Sequence, residues 1–315
     1  MNRSIQKAYT AALSYSLIIG FSFVFVKMTL ESAHPLDTLA HRFTASFVAG
    51  TLLFLLGRRR LKISAREMLS LLPLAMLYPI AFFAFQVFGL EHSTSSEAGI
   101  LQAVIPILTM FLASYFLGEK ASIAQKIGIA VSVTGVIYIF AMKGVNVQNT
   151  SLLGAVLILI SALSSAGYNV LGRKLVRNFS VMDMTYVMSG FGFLFFNILS
   201  LGRHMMEGTV TSYFAPLGDM KFLIAILYLG IISSLLTSYL TNYALTQLEA
   251  SKMSVFSNFS TLLTMVAGAI ILNEQLYAYH IVGAVLIIGG ILCANFLGSR
   301  RAAKQDTHRS GKEPE

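Results

Sequence analysis

Polar side chains recur at helical spacing within long apolar stretches of this sequence. Gln102, Pro106 and Thr109 follow one another at i, i+4 and i+7, on one face of a helix. Pro106 has no N–H, so the carbonyl of Gln102 lacks its helical partner and is free to accept a hydrogen bond from a solute. A later stretch repeats such a face with Ser254, Asn258 and Thr261. These faces predict a path for a small polar solute; the alternative is that they only join helices by hydrogen bonds.

Other apolar stretches contribute further candidates for the same path. Residues 221–243 carry a run of hydroxyl and amide side chains that lipid could not satisfy, so we expect this stretch to face water. Tyrosine rings offer a surface on which a solute can stack, although they are equally common as packing residues. The further candidates are Ser22, Tyr78, Gln86, Tyr168, Asn169, Ser238 and Asn242.

Charged side chains are rare within the apolar stretches. Lys27 and Arg42 are the two basic residues inside them, and all 14 Asp and Glu residues lie in loops, tails or helix ends. One interpretation is that both cations reach the nearby membrane surface or pair with Glu31 and Asp37. The other is that they contact an anionic solute near the outer mouth. The lack of a carboxylate at mid-depth argues against a pump for lipophilic cations.

Patterns typical of catalysis or cofactor binding do not occur in the sequence. The 6 histidines lack metal-ligand spacing, Cys293 is the single cysteine, and there is neither a phosphate-binding loop nor a nucleophilic serine motif. We therefore expect no enzyme activity, no metal and no cofactor. The net charge of +9 comes from loops and the tail, so it does not indicate nucleic-acid binding.

The elements that position these side chains are predicted to be membrane-spanning helices. Only 12% of the residues are charged, about half the share in a soluble globular protein. Each apolar stretch has about 20 residues, enough to cross hydrocarbon, where the backbone must pair within the helix. The predicted spans are 8–29, 36–56, 69–90, 96–117, 122–142, 152–172, 181–201, 221–243, 252–272 and 277–298.

The distribution of basic residues between loops supports this number of spans. Of the 23 Lys and Arg residues, only Lys143, Arg203 and Lys221 fall in loops on the side away from the termini. Because cytoplasmic loops of membrane proteins are rich in Lys and Arg, we expect a multi-pass protein of the cell (inner) membrane with both termini in the cytoplasm. The polar tail, residues 299–315, is predicted to be disordered.

The sequence also resembles itself at a shift of 155 residues, which aligns 86–137 with 241–292 without a gap. Identical pairs include Leu90 and Leu245, Thr109 and Thr264, and Glu119 and Glu274. Near the start of each half, a shift of 146 pairs Gly20 with Ala166 and Lys27 with Arg173. The predicted five-helix domains are residues 1–146 and 147–298.

An odd number of spans in each half inverts the second half relative to the first. Inverted repeats provide two near-equivalent conformations that open to opposite sides of the membrane. A carrier needs this symmetry, whereas a static anchor or a receptor does not. The fold class we predict is therefore all-α and membrane-integral, with ten transmembrane helices arranged as two inverted five-helix repeats.

The repeated blocks resemble the drug/metabolite transporter superfamily, specifically the EamA-type ten-helix permeases. The resemblance covers about residues 8–297 and rests on the following segments: Ser95–Ile107, Leu117-Gly118-Glu119, Gly128 and Gly135-Val136, with Ser251–Leu262, Asn273-Glu274, Gly283 and Gly290-Ile291. The second copy departs from the first, with Thr261 opposite Pro106. The family's Trp-Gly in the first helix is here Ile19-Gly20. The resemblance implies transport of amino acids or other metabolites through a central cavity between the halves.

Together these features predict a secondary transporter, independent of ATP, that exports a small polar metabolite such as an amino acid by alternating access. We expect a small-molecule solute and the lipid bilayer as partners, with coupling to protons left open. A monomer should suffice for transport, although a dimer is compatible with the sequence. A flippase of lipids or lipid-linked sugars, built on the same fold, is the alternative, and a lateral opening lined by Arg42 and Lys27 would favour it.

Overall fold

The structure is a computed structural model that describes residues 3–58, 61–117, 123–143, 150–175, 179–290 and 292. These residues form an all-α membrane protein, and the predicted disordered tail lies outside them. The main helices are α1 Arg3–Leu30, α2 Pro35–Leu56, α3 Leu72–Glu91, α4 Ser95–Phe116, α5 Ile123–Lys143, α6 Thr150–Leu175, α7 Val181–Glu207, α8 Met220–Gln247, α9 Ala250–Ile271 and α10 Ala278–Gly290.

Seven of these helices, α1 to α4 and α6 to α8, are long and apolar enough to cross a membrane. The other three have shorter apolar parts, at Lys126–Ile139, Phe259–Ile271 and Ala278–Gly290. The predicted all-α membrane fold is thus confirmed, whereas the number of ten spans stays a prediction.

The helix α7 is longer than the sequence indicates, since it continues past the predicted end at residue 201 to Glu207. Its last turns are polar, but His204 is buried there against the side chain of Asp37 at the start of α2. Two short 3₁₀ turns, Val210–Ser212 and Ala215–Gly218, then lead to α8. The polar residues at the end of α7 can therefore remain helical, because they have hydrogen-bond partners, such as Asp37, beyond the apolar part of the bundle.

Successive helices run in opposite directions, which gives the bundle two ends. We call the end at Arg3, where α1 begins and α2 ends, the N-terminal face. The far face is the end at Leu30, where α1 ends and α2 begins. The loop between α9 and α10 also lies at the far face.

Helices α3 and α4 are interrupted near Pro79 and Pro106, respectively. In α3, Tyr78 has an extended backbone (φ −147°, ψ 118°), as favoured for a residue that precedes a proline. In α4, the helices Ser95–Gln102 and Ile105–Leu117 are separated by a turn just before Pro106. The turn in α4 agrees with the missing N–H of Pro106. In α8 the segment Tyr228–Leu236 is wound as a π-helix.

Glycines allow two pairs of helices to approach closely. A Cβ atom on Gly154 of α6 would lie 2.9 Å from the carbonyl oxygen of Gly89 on α3. A Cβ atom on Gly135 of α5 would likewise lie 2.9 Å from the carbonyl oxygen of Gly283 on α10. Both contacts are between backbones, so a side chain at these positions would push the helices apart.

We predict that Gly154→Ala lowers the stability of the protein. The new methyl group meets backbone atoms that cannot rotate away, and such overpacking costs about 1–3 kcal/mol. The measurement is the melting temperature of the purified protein in detergent. The matched control is Gly202→Ala on α7, where a Cβ atom would meet nothing within 4 Å. Alanine should raise stability there by up to about 1 kcal/mol. Equal melting temperatures for the two variants would contradict the close contact.

Candidate functional site

A buried guanidinium group lies between α2, α3 and α8. Arg42 of α2 is fully buried. Its Nε donates a hydrogen bond to Ser234 Oγ at 2.7 Å, and its Nη2 donates to Ser233 Oγ at 3.1 Å. Its Cζ lies 4.1 Å from the centre of the Phe83 ring. The serines reach it because Gly230 lets α8 approach α2: a Cβ atom there would lie 2.6 Å from the carbonyl oxygen of Arg42.

The prediction that Arg42 reaches the surface or pairs with Asp37 is wrong. Asp37 accepts hydrogen bonds from Ser200 at 2.5 Å and from Arg203 at 2.7 Å, and its Oδ1 lies 3.2 Å from Nε2 of His204. These partners occupy the carboxylate at the far face. Arg42 begins five residues deeper along α2, about 7.5 Å along the helix axis, and its side chain turns into the bundle.

Four of the predicted path residues, from α3, α6 and α8, meet beside Arg42. The rings of Tyr78 and Tyr168 lie with their centroids 4.9 Å apart, and the hydroxyl of Tyr78 lies beside that of Ser238. The hydroxyl of Tyr168 donates to Oδ1 of Asn242, whose Nδ2 donates to Thr185 Oγ1 at 3.1 Å. We call Arg42, Tyr78, Tyr168, Ser238 and Asn242 the central cluster.

Two other predicted path residues join helices to each other. Gln102 Nε2 donates to Ser161 Oγ at 3.2 Å, and Ser161 in turn donates to the carbonyl of Phe82 at 2.9 Å. These bonds connect α4, α6 and the part of α3 that follows its break. Thr261 of α9 donates to the carbonyl of Gly99 in α4 at 3.0 Å. In this conformation the side chains of Gln102 and Thr261 therefore form hydrogen bonds that join neighbouring helices.

The remaining predicted path residues are dispersed. Ser22 is buried and donates to the carbonyl of Ile19 in its own helix at 2.9 Å. Gln86 and Asn169 are buried as well, on α3 and α6. Asn258 belongs to α9, but its side chain lies outside the part of the chain that the structure describes.

Lys27 lies at an open cavity of about 390 Å³ at the far face. It does not form the pair with Glu31 that the sequence suggested. Instead, its Nζ donates to the carbonyl of Leu90 at 2.7 Å. The cavity is lined by Lys27, Leu30, Glu31, Glu91, Thr94, Leu272 and Glu274. Its carboxylates balance the charge of Lys27, so this cavity is a poor site for an anion.

The carboxylate of Glu274 connects the α9–α10 loop to the start of α4 at the same face. Its Oε1 accepts hydrogen bonds from the backbone N and Oγ of Ser95, at 2.7 and 2.8 Å. Its Oε2 accepts from the backbone N and Oγ of Ser96, at 2.9 and 2.6 Å. A carboxylate at a helix N-terminus is favourable because it pairs with N–H groups that have no partner within the helix. We call these four bonds the Glu274 latch.

The two halves of the chain make an equivalent contact. Lys27 donates to the carbonyl of Leu90, and Arg173 donates to the carbonyl of Leu245 at 3.0 Å. The sequence alignment had paired Lys27 with Arg173 and Leu90 with Leu245. The first contact lies at the far face and the second at the N-terminal face, as inverted repeats require.

Another pair of equivalent residues behaves differently in the two halves. The hydroxyl of Thr264 in α9 lies 2.9 Å from the carbonyl oxygen of Gly20 in α1 and 2.9 Å from that of Ser260 in its own helix, so it can donate to either. Its counterpart Thr109 in α4 is also fully buried, but its hydroxyl has no partner among the described residues. In this conformation the hydroxyl of Thr264 therefore has a hydrogen-bond partner, whereas the hydroxyl of Thr109, near α6, has none among the described residues.

A polar network at the far face holds the α7–α8 connection. The Tyr213 hydroxyl donates to Asn197 Oδ1 at 2.5 Å, and the Tyr213 carbonyl lies 2.9 Å from Nε2 of His41. Burial, together with the charge of Asp37, raises the pKa of Tyr213 to about 12, so this hydroxyl keeps its proton. Although Asp37 and His204 are metal-ligand types, the described residues include no group of three such side chains placed to hold a metal ion.

Sequence reasoning did not identify the partners of Arg42. Ser233 and Ser234 stood out only as part of a polar stretch, and Phe83 did not stand out at all. The serines follow Arg42 by 191 and 192 residues, a separation that no local pattern reveals. The sequence did contain one indication of these partners. The two serines are adjacent, and they lie in the apolar stretch 221–243 that was expected to face water.

Comparison with known proteins gives a consistent family. The EamA-like transporter family matches residues 6–141 and 152–296. The chain is 52% identical over 288 residues to "Uncharacterized transporter YcxC" of Bacillus subtilis (strain 168), covering 91% of this chain and 92% of that protein. It is 26% identical over 308 residues to "Probable amino-acid metabolite efflux pump" of Escherichia coli (strain K12), covering 95% and 98%. A crystal structure with 17% identity superposes with a TM-score of 0.67 over 94% of this chain and 98% of that one, which shows a shared fold.

We predict that Asn242→Ala lowers the melting temperature of the purified protein. Truncation leaves the buried hydroxyls of Tyr168 and Thr185 without their amide partner, which should cost about 1–3 kcal/mol. The matched control is Gln247→Ala, an exposed amide on the same helix, which should leave the melting temperature unchanged. If both variants melt like the parent, Asn242 does not hold the central cluster together.

Proposed function

Because the chain belongs to the EamA-like transporter family, we propose that it is a secondary transporter that exports a small polar metabolite, such as an amino acid. The observation that carries the proposal is the central cluster, in which polar side chains from α2, α3, α6 and α8 converge in the interior of a membrane protein. Polar groups inside a membrane are costly and usually face a solute path. The E. coli relative named as an efflux pump for amino-acid metabolites supports both the direction and the class of solute.

We propose alternating access as the mechanism. The equivalent contacts of Lys27 and Arg173 support it, because two halves with the same internal contacts can exchange conformations. All the helices that contribute to the central cluster belong to one chain, so a monomer should suffice. The excess of Lys and Arg in loops on the N-terminal face supports its placement in the cytoplasm, in the cell membrane.

In this mechanism the Glu274 latch closes the far face. By the 155-residue alignment, Glu119 corresponds to Glu274 and Ser251 to Ser96. We propose that Glu119 closes the N-terminal face on the start of α9 in the other conformation. The side chains of Glu119 and Ser251 lie outside the described residues, so this step rests on the alignment and on the geometry of Glu274.

A flippase is less well supported. The observation that would favour it is a lateral opening lined by Arg42 and Lys27. The groove between α2, α7 and α8 is instead apolar, with Leu53, Phe54 and Ile231 among its lining residues. Arg42 faces the interior and Lys27 the far face, so neither cation lines this groove.

We expect the purified protein in liposomes to release amino acids. Vesicles are loaded with a ¹⁴C-labelled mixture of the standard amino acids, and release is compared with protein-free liposomes, with and without an inward proton gradient. Saturable release that is faster than the background supports export, and acceleration by the gradient supports proton coupling. Tyr78→Phe and Ser238→Ala, which each remove one hydroxyl of the central cluster, should reduce saturable release, whereas Gln247→Ala should not. Release at the background rate for every amino acid would contradict the proposed solute class.

We predict that Glu274→Gln and Glu119→Gln shift the conformation in opposite directions. Removing the charge weakens hydrogen bonds worth about 1.5–3 kcal/mol, which is about a 10- to 100-fold change in population. The measurement is the labelling rate of a cysteine at Leu30, beside the far-face cavity, by a membrane-impermeant maleimide in a Cys293→Ser background. Glu274→Gln should raise the rate and Glu119→Gln should lower it. An unchanged labelling rate in Glu274→Gln would show that the Glu274 latch does not control access to the far face.

A further inference from the structure

We propose that Arg42 binds the carboxylate of the transported solute, so that the protein selects small molecules with a single carboxylate group, amino acids among them. This inference rests on the proposed transport function and specifies its site. It follows from three features of Arg42: its charge, its fixed orientation and the surroundings of its free nitrogen.

The charge of Arg42 is not balanced by a carboxylate among the described residues. Its hydrogen-bond partners are the neutral hydroxyls of Ser233 and Ser234, and its guanidinium lies over the neutral ring of Phe83. Asp37, the carboxylate nearest along α2, is bound by three other side chains, Arg203 among them. An isolated charge buried in a membrane protein is strongly unfavourable, and an arriving anion would offset that cost.

The guanidinium is also held in one orientation. Nε and Nη2 are both engaged by serines of α8, while Nη1 is fully buried and has no hydrogen-bond partner within the described residues. Because the two bonded nitrogens and the ring fix the plane of the group, Nη1 is left as a donor in a fixed direction. Arg42 therefore has the geometry of a preorganised site for one oxygen atom.

The surroundings provide a second donor and an apolar wall. Tyr78 and Arg42 both lie against the ring of Phe83, whose centroid is 5.0 Å from that of the Tyr78 ring and 4.1 Å from Cζ of Arg42. The helix α3 is broken at Tyr78. The rings of Phe82, Phe83 and Tyr168 each lie with centroids 4.9–5.0 Å from that of Tyr78. A phenol beside a guanidinium suits a carboxylate, and the rings suit an apolar side chain.

The single positive charge of Arg42 favours a carboxylate over a phosphate as the group that it binds. Arg42 is balanced by one negative charge, whereas a phosphate dianion would bring a second one into the membrane interior. Lys27 does not supply the additional cation, because it bonds to the Leu90 carbonyl at the far-face cavity among glutamates. A single carboxylate group is therefore the anion whose charge matches that of the guanidinium.

The test compares each standard amino acid with its α-carboxamide, which keeps the ammonium and the side chain but replaces the carboxylate. Binding is measured by the concentration dependence of the melting temperature of the purified protein, and by competition with ¹⁴C-amino-acid release from vesicles. We expect amides to bind about 10- to 100-fold more weakly than acids, as loss of a charged hydrogen bond requires. In Arg42→Gln the acids should lose this advantage. A structural role for Arg42 would instead leave the acid-to-amide ratio unchanged.

If Arg42→Gln does not fold, Ser234→Ala serves in its place. It retains the charge but releases Nε, so it should reduce the acid-to-amide ratio severalfold without abolishing it. Equal binding of acids and amides to the parent protein, with transport intact, would overturn the carboxylate site and leave the proposed function standing. No stabilisation and no release with any compound would overturn both.

Discussion

The hydrocarbon interior supplies no water, so each buried polar group in this protein needs a partner from the protein itself. This constraint accounts for most of the contacts between the helices. The amide of Asn242 is shared by Tyr168 and Thr185, and Gln102 reaches Ser161, which in turn reaches a backbone carbonyl. Among the described residues, Nη1 of Arg42 and the hydroxyl of Thr109 are two of the buried polar atoms for which the requirement is not met. For Arg42, this unpaired donor is the observation that supports the proposed contact with a solute carboxylate.

Several of these contacts connect the two halves of the sequence. Glu274 of the second half holds the start of α4 in the first half, and Thr264 bonds to the carbonyl of Gly20. Such bonds are formed by short side chains at fixed positions, so they break over small displacements of one half against the other. The bundle thus combines a tightly packed interior, at contacts such as Gly89 with Gly154, with a small number of polar contacts that can be exchanged.

Much of the fold could be predicted because its causes are local. Apolar length, helix-breaking prolines and loop charge depend on neighbouring residues, and the break in α4 beside Pro106 follows directly from a missing N–H. The site was harder to predict because its contacts are not local. Tyr78, Tyr168, Ser238 and Asn242 were identified as polar residues in apolar stretches, but their convergence depends on how α3, α6 and α8 pack. The sequence placed Arg42 near the surface, since helical position alone does not reveal the direction of a long side chain.

The unpaired hydroxyl of Thr109 would make the two conformations of the proposed cycle unequal in free energy. In the conformation described here, Thr264 has a carbonyl partner and the equivalent Thr109 has none. An exchange of conformations between the halves would bring Thr109 toward the carbonyl of Ala166, the counterpart of Gly20, and separate Thr264 from its own. Alanine carries a methyl group that glycine lacks, so the second contact cannot be as close as the first. The proposed cycle would then have a resting state, the conformation described here, and a second state of higher free energy.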